Sequence, residues 1–154
     1  MSIIAASRPT DWNFPLFIHV LGAVLLVGGL VAGATTLALA RGEVRYLRLG
    51  YWSLLALALP GWLIMRVGAE WIYTKEGWDD LPEGIDEPTW LVIGYITADA
   101  GGLMLLIALI LGGVGVRRLR AGKGSGLLKG TLVLCLIALT AYVVAVLAMS
   151  GKPG

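Results

Sequence analysis

Apolar residues run through this chain in four long blocks, over 14–40, 51–72, 90–116 and 127–149, and polar residues collect between them. A helix needs about 20 mostly apolar residues to cross roughly 30 Å of hydrocarbon, and every block reaches that length. None alternates with period two, and lipid admits only helices or closed barrels, because unpaired backbone groups find no water there. The pattern therefore predicts an all-α protein: a four-helix transmembrane bundle forming a single membrane domain over 1–154. The first block reads as a retained helix and not a signal peptide. Its leader, 1–13, carries one Arg and one Asp, and the apolar run is too long for a signal.

Charge is sorted between the connections. Arg41, Arg45 and Arg48 lie between the first two blocks, and Arg117, Arg118, Arg120 and Lys123 between the last two, with Lys129 just inside the fourth. Only Arg8, Lys75 and Lys152 lie on the other side. Lys and Arg bias in short loops sets orientation. Both basic connections are thus expected in the cytoplasm, with the two termini and the 73–89 loop outside a plasma or bacterial inner membrane. That loop sets Glu76, Asp79, Asp80, Glu83, Asp86 and Glu87 against Lys75. Pro82, Gly84 and Pro88 break regular structure there, and Trp71, Trp78 and Trp90 suit the headgroup level. The carboxylate spacing does not match a calcium-binding loop, so a solvated loop is expected.

Composition narrows the classes. Of 154 residues, 58% are hydrophobic before the 22 glycines are counted, and 14% are charged; soluble domains average about 25% charged. A soluble enzyme, a nucleic-acid binder and a disordered tail are excluded, and the net charge of +2 suggests no polyanionic partner. The single cysteine, Cys135, excludes a disulfide framework and a Cys-based zinc site within one chain. The expected partners are the lipid bilayer and a second copy or another membrane protein.

Small residues mark the packing faces. Gly22, Gly29 and Gly33 share a face with His19 and Leu26, and Ala98 and Gly102 repeat the device on the third helix. Pro60-Gly61 should kink or locally unwind the second helix. Four polar groups within the spans fall at similar depth below the outer edge: Asp99 at roughly 13 Å, Arg66 and Tyr142 at about 9–10 Å, and His19 at about 7–8 Å, taking 1.5 Å per residue. Glu70 can pair with Arg66 at i,i+4. A polar cluster of His19, Arg66, Glu70, Asp99, Tyr95 and Tyr142, with Thr97 nearby, is expected between the helices. Intramembrane ionisable residues point to function by default. The alternative is an Arg66–Asp99 pair that fixes helix register, with His19 bonded to a carbonyl.

The cluster suits three chemistries. Haem held between helices would take His19 with an axial Met from Met65, Met104 or Met149, since one chain lacks the second His of a bis-histidine site. Copper would use His19 as its metal ligand with soft Met donors. Proton or ion movement would use Asp99 and His19 as titrating groups, with oligomerisation completing a path that has no inner half here. Hydrolytic triads, Glu-x-x-His spacing and phosphate-binding loops do not occur, so no enzyme and no catalytic residue is expected.

The segment Phe17-Ile18-His19-Val20-Leu21-Gly22, followed by Val27-Gly28-Gly29, resembles the opening helix of small bacterial four-helix integral membrane proteins of unknown function. The tail, 149–154, resembles endings in the same group. They are distantly similar to the membrane domain of the copper-resistance D family and its haem-associated relatives. The resemblance implies a four-helix fold with outward termini. In the copper and haem relatives a first-helix histidine is a ligand, and His19 is the matching position, although this chain has no other histidine. The preferred expectation is a membrane protein whose outer-leaflet cluster binds a small ligand or a partner. Haem or copper handling through His19, and an oligomeric ion pathway through Asp99, stand as alternatives.

Overall fold

Four helices carry the chain, each long and apolar enough to cross a membrane: α1 (Asn13–Leu39), α2 (Val44–Glu76), α3 (Thr89–Arg120) and α4 (Gly126–Ser150). The computed structural model describes residues 10–82, 84, 86–123 and 125–150, and no strand occurs among them. Arg8, Glu83 and Lys152 of the charge balance, and 151–154 of the tail, lie outside the described residues.

Three helices start and stop close to the apolar blocks, but α2 begins at Val44, seven residues before its block. Arg45 and Arg48 therefore stand on its first turns and not in a loop. The physical reason is amphipathicity: Leu47 and Gly50 are buried while both arginines are exposed, so the helix continues past the apolar block. The α1–α2 link shrinks to a tight turn in which Arg41 and Gly42 take φ of 43° and 90°, the left-handed region that glycine enters without steric cost. At the other end Gly77, with φ 74°, stops α2, and a short 3₁₀ turn, Trp78–Asp80, follows. Arg117, Arg118 and Arg120 occupy the last turn of α3, where cations complement the helix dipole.

The predicted distortion at Pro60 takes a definite form. Residues Leu54–Ala58 make one π-helical turn, and the N–H of Leu59 bonds the Leu54 carbonyl. Proline has no N–H and its ring crowds the carbonyl four residues earlier. One widened turn just ahead of it admits an extra residue and relieves that crowding.

Leucines such as Leu26, Leu30, Leu54 and Leu105 fill the core, yet the outside is apolar as well. Many large side chains point outward, among them Val24, Val31, Leu63, Val67, Leu103, Ile110 and Leu147, while small residues fill much of the contacts. Along α1, a Cβ on Gly22 would strike the Met65 backbone, one on Gly29 the Ala58 backbone, and one on Gly33 the Leu54 side chain. From α2, Gly61 and Gly68 meet the α1 backbone at Leu26 and His19 in the same way. The expected glycine face thus serves the α1–α2 interface within one chain. The partner glycines on α2 complete it. Gly102 receives the Trp62 ring and Gly101 the Tyr142 ring, setting the spacing of α3 from α2 and α4. Between α3 and α4, fully buried Thr131 donates to the carbonyls of Leu127 and Ala108 at 3.1 and 3.3 Å.

Candidate functional site

The close α1–α2 contact at Gly68 lays the His19 ring along the α2 backbone. Its Nδ1–H donates to the Met65 carbonyl at 3.0 Å. That bond puts a proton on Nδ1, so in the neutral ring Nε2 is the nitrogen that carries the lone pair. Four residues from Trp62 on α2, Arg66 reaches toward α3. Its Nε donates to Asp99 Oδ1 at 3.1 Å, one terminal nitrogen pairs with Glu70, and its Cζ lies 4.6 Å from the centre of the Tyr95 ring. Trp62 adds a second α2–α3 tie, Nε1–H to the Ala98 carbonyl at 2.9 Å.

These groups surround a cavity of about 220 Å3 bordered by all four helices at the end of the bundle that carries the 77–88 connection. His19 and Leu26 border it from α1, Met65 and Arg66 from α2, Tyr95 and Ala98 from α3, Tyr142 and Met149 from α4. Its walls are largely apolar and aromatic. Tyr73, Trp78 and Trp90 also border it; Tyr73 donates to Glu87, Trp78 Nε1–H donates to Glu76 at 2.6 Å, and the two indoles meet edge to face at 6.2 Å. Lys75 pairs with Asp11 at 3.0 Å, tying the chain ahead of α1 to the end of α2. The acidic connection is therefore partly anchored and not simply a free solvated loop.

The expected single cluster resolves into two. Arg66, Glu70 and Asp99 form an ion triad on the outside of the bundle, where the carboxylate side chains of Glu70 and Asp99 are 51% and 62% exposed and that of Arg66 25%. Neither Glu70 nor Asp99 borders the cavity. The reason is helical rotation: each residue turns about 100°, so with Ala98 facing inward its neighbour Asp99 faces out. His19, Tyr95, Thr97 and Tyr142 do border the cavity, and Arg66 stands between the two groups. Tyr142 is 6% exposed and its hydroxyl, packed over Gly101, has no hydrogen-bond partner, while the Tyr95 hydroxyl lies with the Arg66 guanidinium.

Sequence reasoning missed Trp62 and the Tyr73–Glu87 tie. A tryptophan in mid-span carries an N–H that must find an acceptor when buried, which was the available signal. Nothing in the sequence places Tyr73 against Glu87.

Among the described residues no three His, Cys, Asp or Glu side chains gather as a metal site. Around His19 the soft donors are the thioethers of Met65 and Met149, and Met104 does not border the cavity. Cys135 is buried elsewhere along α4. A haem does not fit either: pockets for drug-sized ligands run about 300–1,000 Å3, above the size of this cavity, and a second imidazole is missing. These residues do not make a resident haem or copper centre within one chain.

Comparison with protein-family models, with curated proteins and with solved structures finds no match for this chain.

Proposed function

We propose that this chain is a multi-pass plasma-membrane protein that binds a small, mostly apolar molecule between its helices in the outer leaflet. The orientation follows from charge: the links at 40–43 and 121–125 and the helix turns beside them carry the arginines and lysines that belong in the cytoplasm. The termini and the 77–88 connection then lie outside, and the cavity lies at the outer end of the bundle. A single observation carries the reading of function. The cavity has apolar and aromatic walls from all four helices, with His19 and Arg66 as the few polar side chains among them. Ligand sites combine these features: apolar lining for affinity and a few placed polar groups for orientation.

The test is titration of 2-methylnaphthalene into the purified chain in lipid nanodiscs, with empty nanodiscs as the blank. The reading predicts saturable binding of one probe per cavity. It also predicts loss of that binding in Ala69→Phe, which fills the cavity from α2, while helicity and thermal melting show the variant folded. Uptake that never saturates above the blank, or that Ala69→Phe leaves unchanged, contradicts the reading.

A further inference from the structure

The arginine-rich end of the bundle, opposite the cavity, holds a second concavity. It is a groove of about 600 Å3 between α2 and α3, bordered by Tyr51 and Trp52 from α2 and by one side of α3 from Leu106 to Arg120. Gly112 and Gly113 seat the Tyr51 ring against α3, and Gly113 brings no side chain of its own into the groove. Trp52, Leu106, Ile110 and Val114 border the groove and are all exposed, so it is a feature of the bundle surface and not an enclosed void. We infer that this groove binds one anionic phospholipid, an acyl chain lying along its apolar length and the phosphate held by Arg117 and Arg120. The inference rests on the helices crossing a membrane and is independent of the cavity at the other end.

Length supplies the first argument. Leu106 to Arg117 spans about 16 Å of helix at 1.5 Å per residue. One leaflet is half of a hydrocarbon core roughly 30 Å thick, so the apolar part of the groove matches an acyl chain that starts at the arginines. Charge supplies the second. Arg117 and Arg120 are exposed, and the three ion pairs among the described residues all lie at the other end of the bundle. At i,i+3 the two guanidiniums share a face of α3 and can donate together to one phosphate, an acceptor that arginine suits by its planar fork of donors. The surrounding field has the same sign, since Arg41, Arg45, Arg48, Arg118, Lys123 and Lys129 stand at this end against Glu43 alone. Trp52 supplies the third, because tryptophan settles at the headgroup level, and basic pockets between membrane helices at that level hold anionic lipid heads. Completing the helix dipole does not account for the pair: Arg118 shares the last turn of α3 but does not border the groove.

The experiment is native mass spectrometry of the full chain in detergent, titrated with dioleoyl phosphatidylglycerol or with dioleoyl phosphatidylcholine, counting the lipids that stay bound. The first phosphatidylglycerol should bind about tenfold tighter than the first phosphatidylcholine. Arg117→Gln and Arg120→Gln should each cut that preference by about fivefold, the worth of one basic residue at an anionic surface. Arg118→Gln removes the same charge from the same turn and should change the preference by less than about twofold. Thermal melts establish that all three variants are folded. Equal first-site affinity for the two lipids overturns the inference. So does a loss in Arg118→Gln as large as that in Arg117→Gln, because the attraction would then be a diffuse field and not a site. Either result leaves the binding function of the cavity untouched, so the two readings fail separately.

Discussion

Gly22 and Gly28 lie six residues apart on α1 and face different surroundings. A Cβ on Gly22 would occupy the space of the Met65 backbone, whereas one on Gly28 meets nothing within 4 Å. Gly22→Ala should therefore cost about 1–3 kcal/mol through overpacking against an unyielding backbone. Gly28→Ala should hold stability or gain up to about 1 kcal/mol from helix propensity. Thermal melts of the two variants in one detergent check this, and equal melting temperatures would sink it. The same scale shows what could be read from residues alone. Polar groups inside apolar blocks are costly enough to be rare, so His19, Arg66, Asp99 and Tyr142 stood out. Which way each pointed was not. When lipid and bundle interior are equally apolar, no polar face marks the outside, and a rotation of one residue separates Ala98 in the cavity from Asp99 on the surface.

The helices differ in how legible they were. Apolar length located α1, α3 and α4 closely, because their ends coincide with Pro, Gly or charge. It placed the start of α2 too late, because Val44–Ser53 is an amphipathic stretch whose polar positions break the apolar block without breaking the helix. Pro60 announced a distortion, but the proline could not say whether a kink or a π turn would result; that depends on keeping Gly50 and Gly61 both against α1. If the π turn holds one extra residue to accommodate Pro60, deleting Ala56 alone should force the proline into an ordinary helix interior. That costs about 3 kcal/mol. Deleting Ala56 together with Pro60→Ala should recover most of the loss, since a regular α-helix then connects the two packed halves in the same register. Chemical or thermal unfolding of the pair decides it; a double variant as damaged as the single deletion would refute the account.

At the scale of the molecule, α1 and α2 are drawn together by glycines and α3 and α4 by small residues around Thr131. Trp62 and Arg66 bridge from α2 to α3 beside the cavity. Close backbone contact holds α1 against α2, while the Trp62 ring, seated on Gly102, stands between α2 and α3 beside the cavity. The four-helix count was readable from hydropathy alone. The cavity was not, since it depends on side chains such as Trp62 and Tyr142 finding glycines on a helix distant in sequence. Its identity as a binding site is the central claim, and locating a bound probe tests it most directly. Crystals of the full chain grown in lipid with 2-bromo-1,4-naphthoquinone would report the bromine by anomalous scattering. The account predicts one bromine peak inside the space bounded by His19, Met65, Tyr95 and Tyr142, absent from crystals of Ala69→Phe. Bromine peaks confined to the lipid-facing surface, with none between the helices, would contradict it.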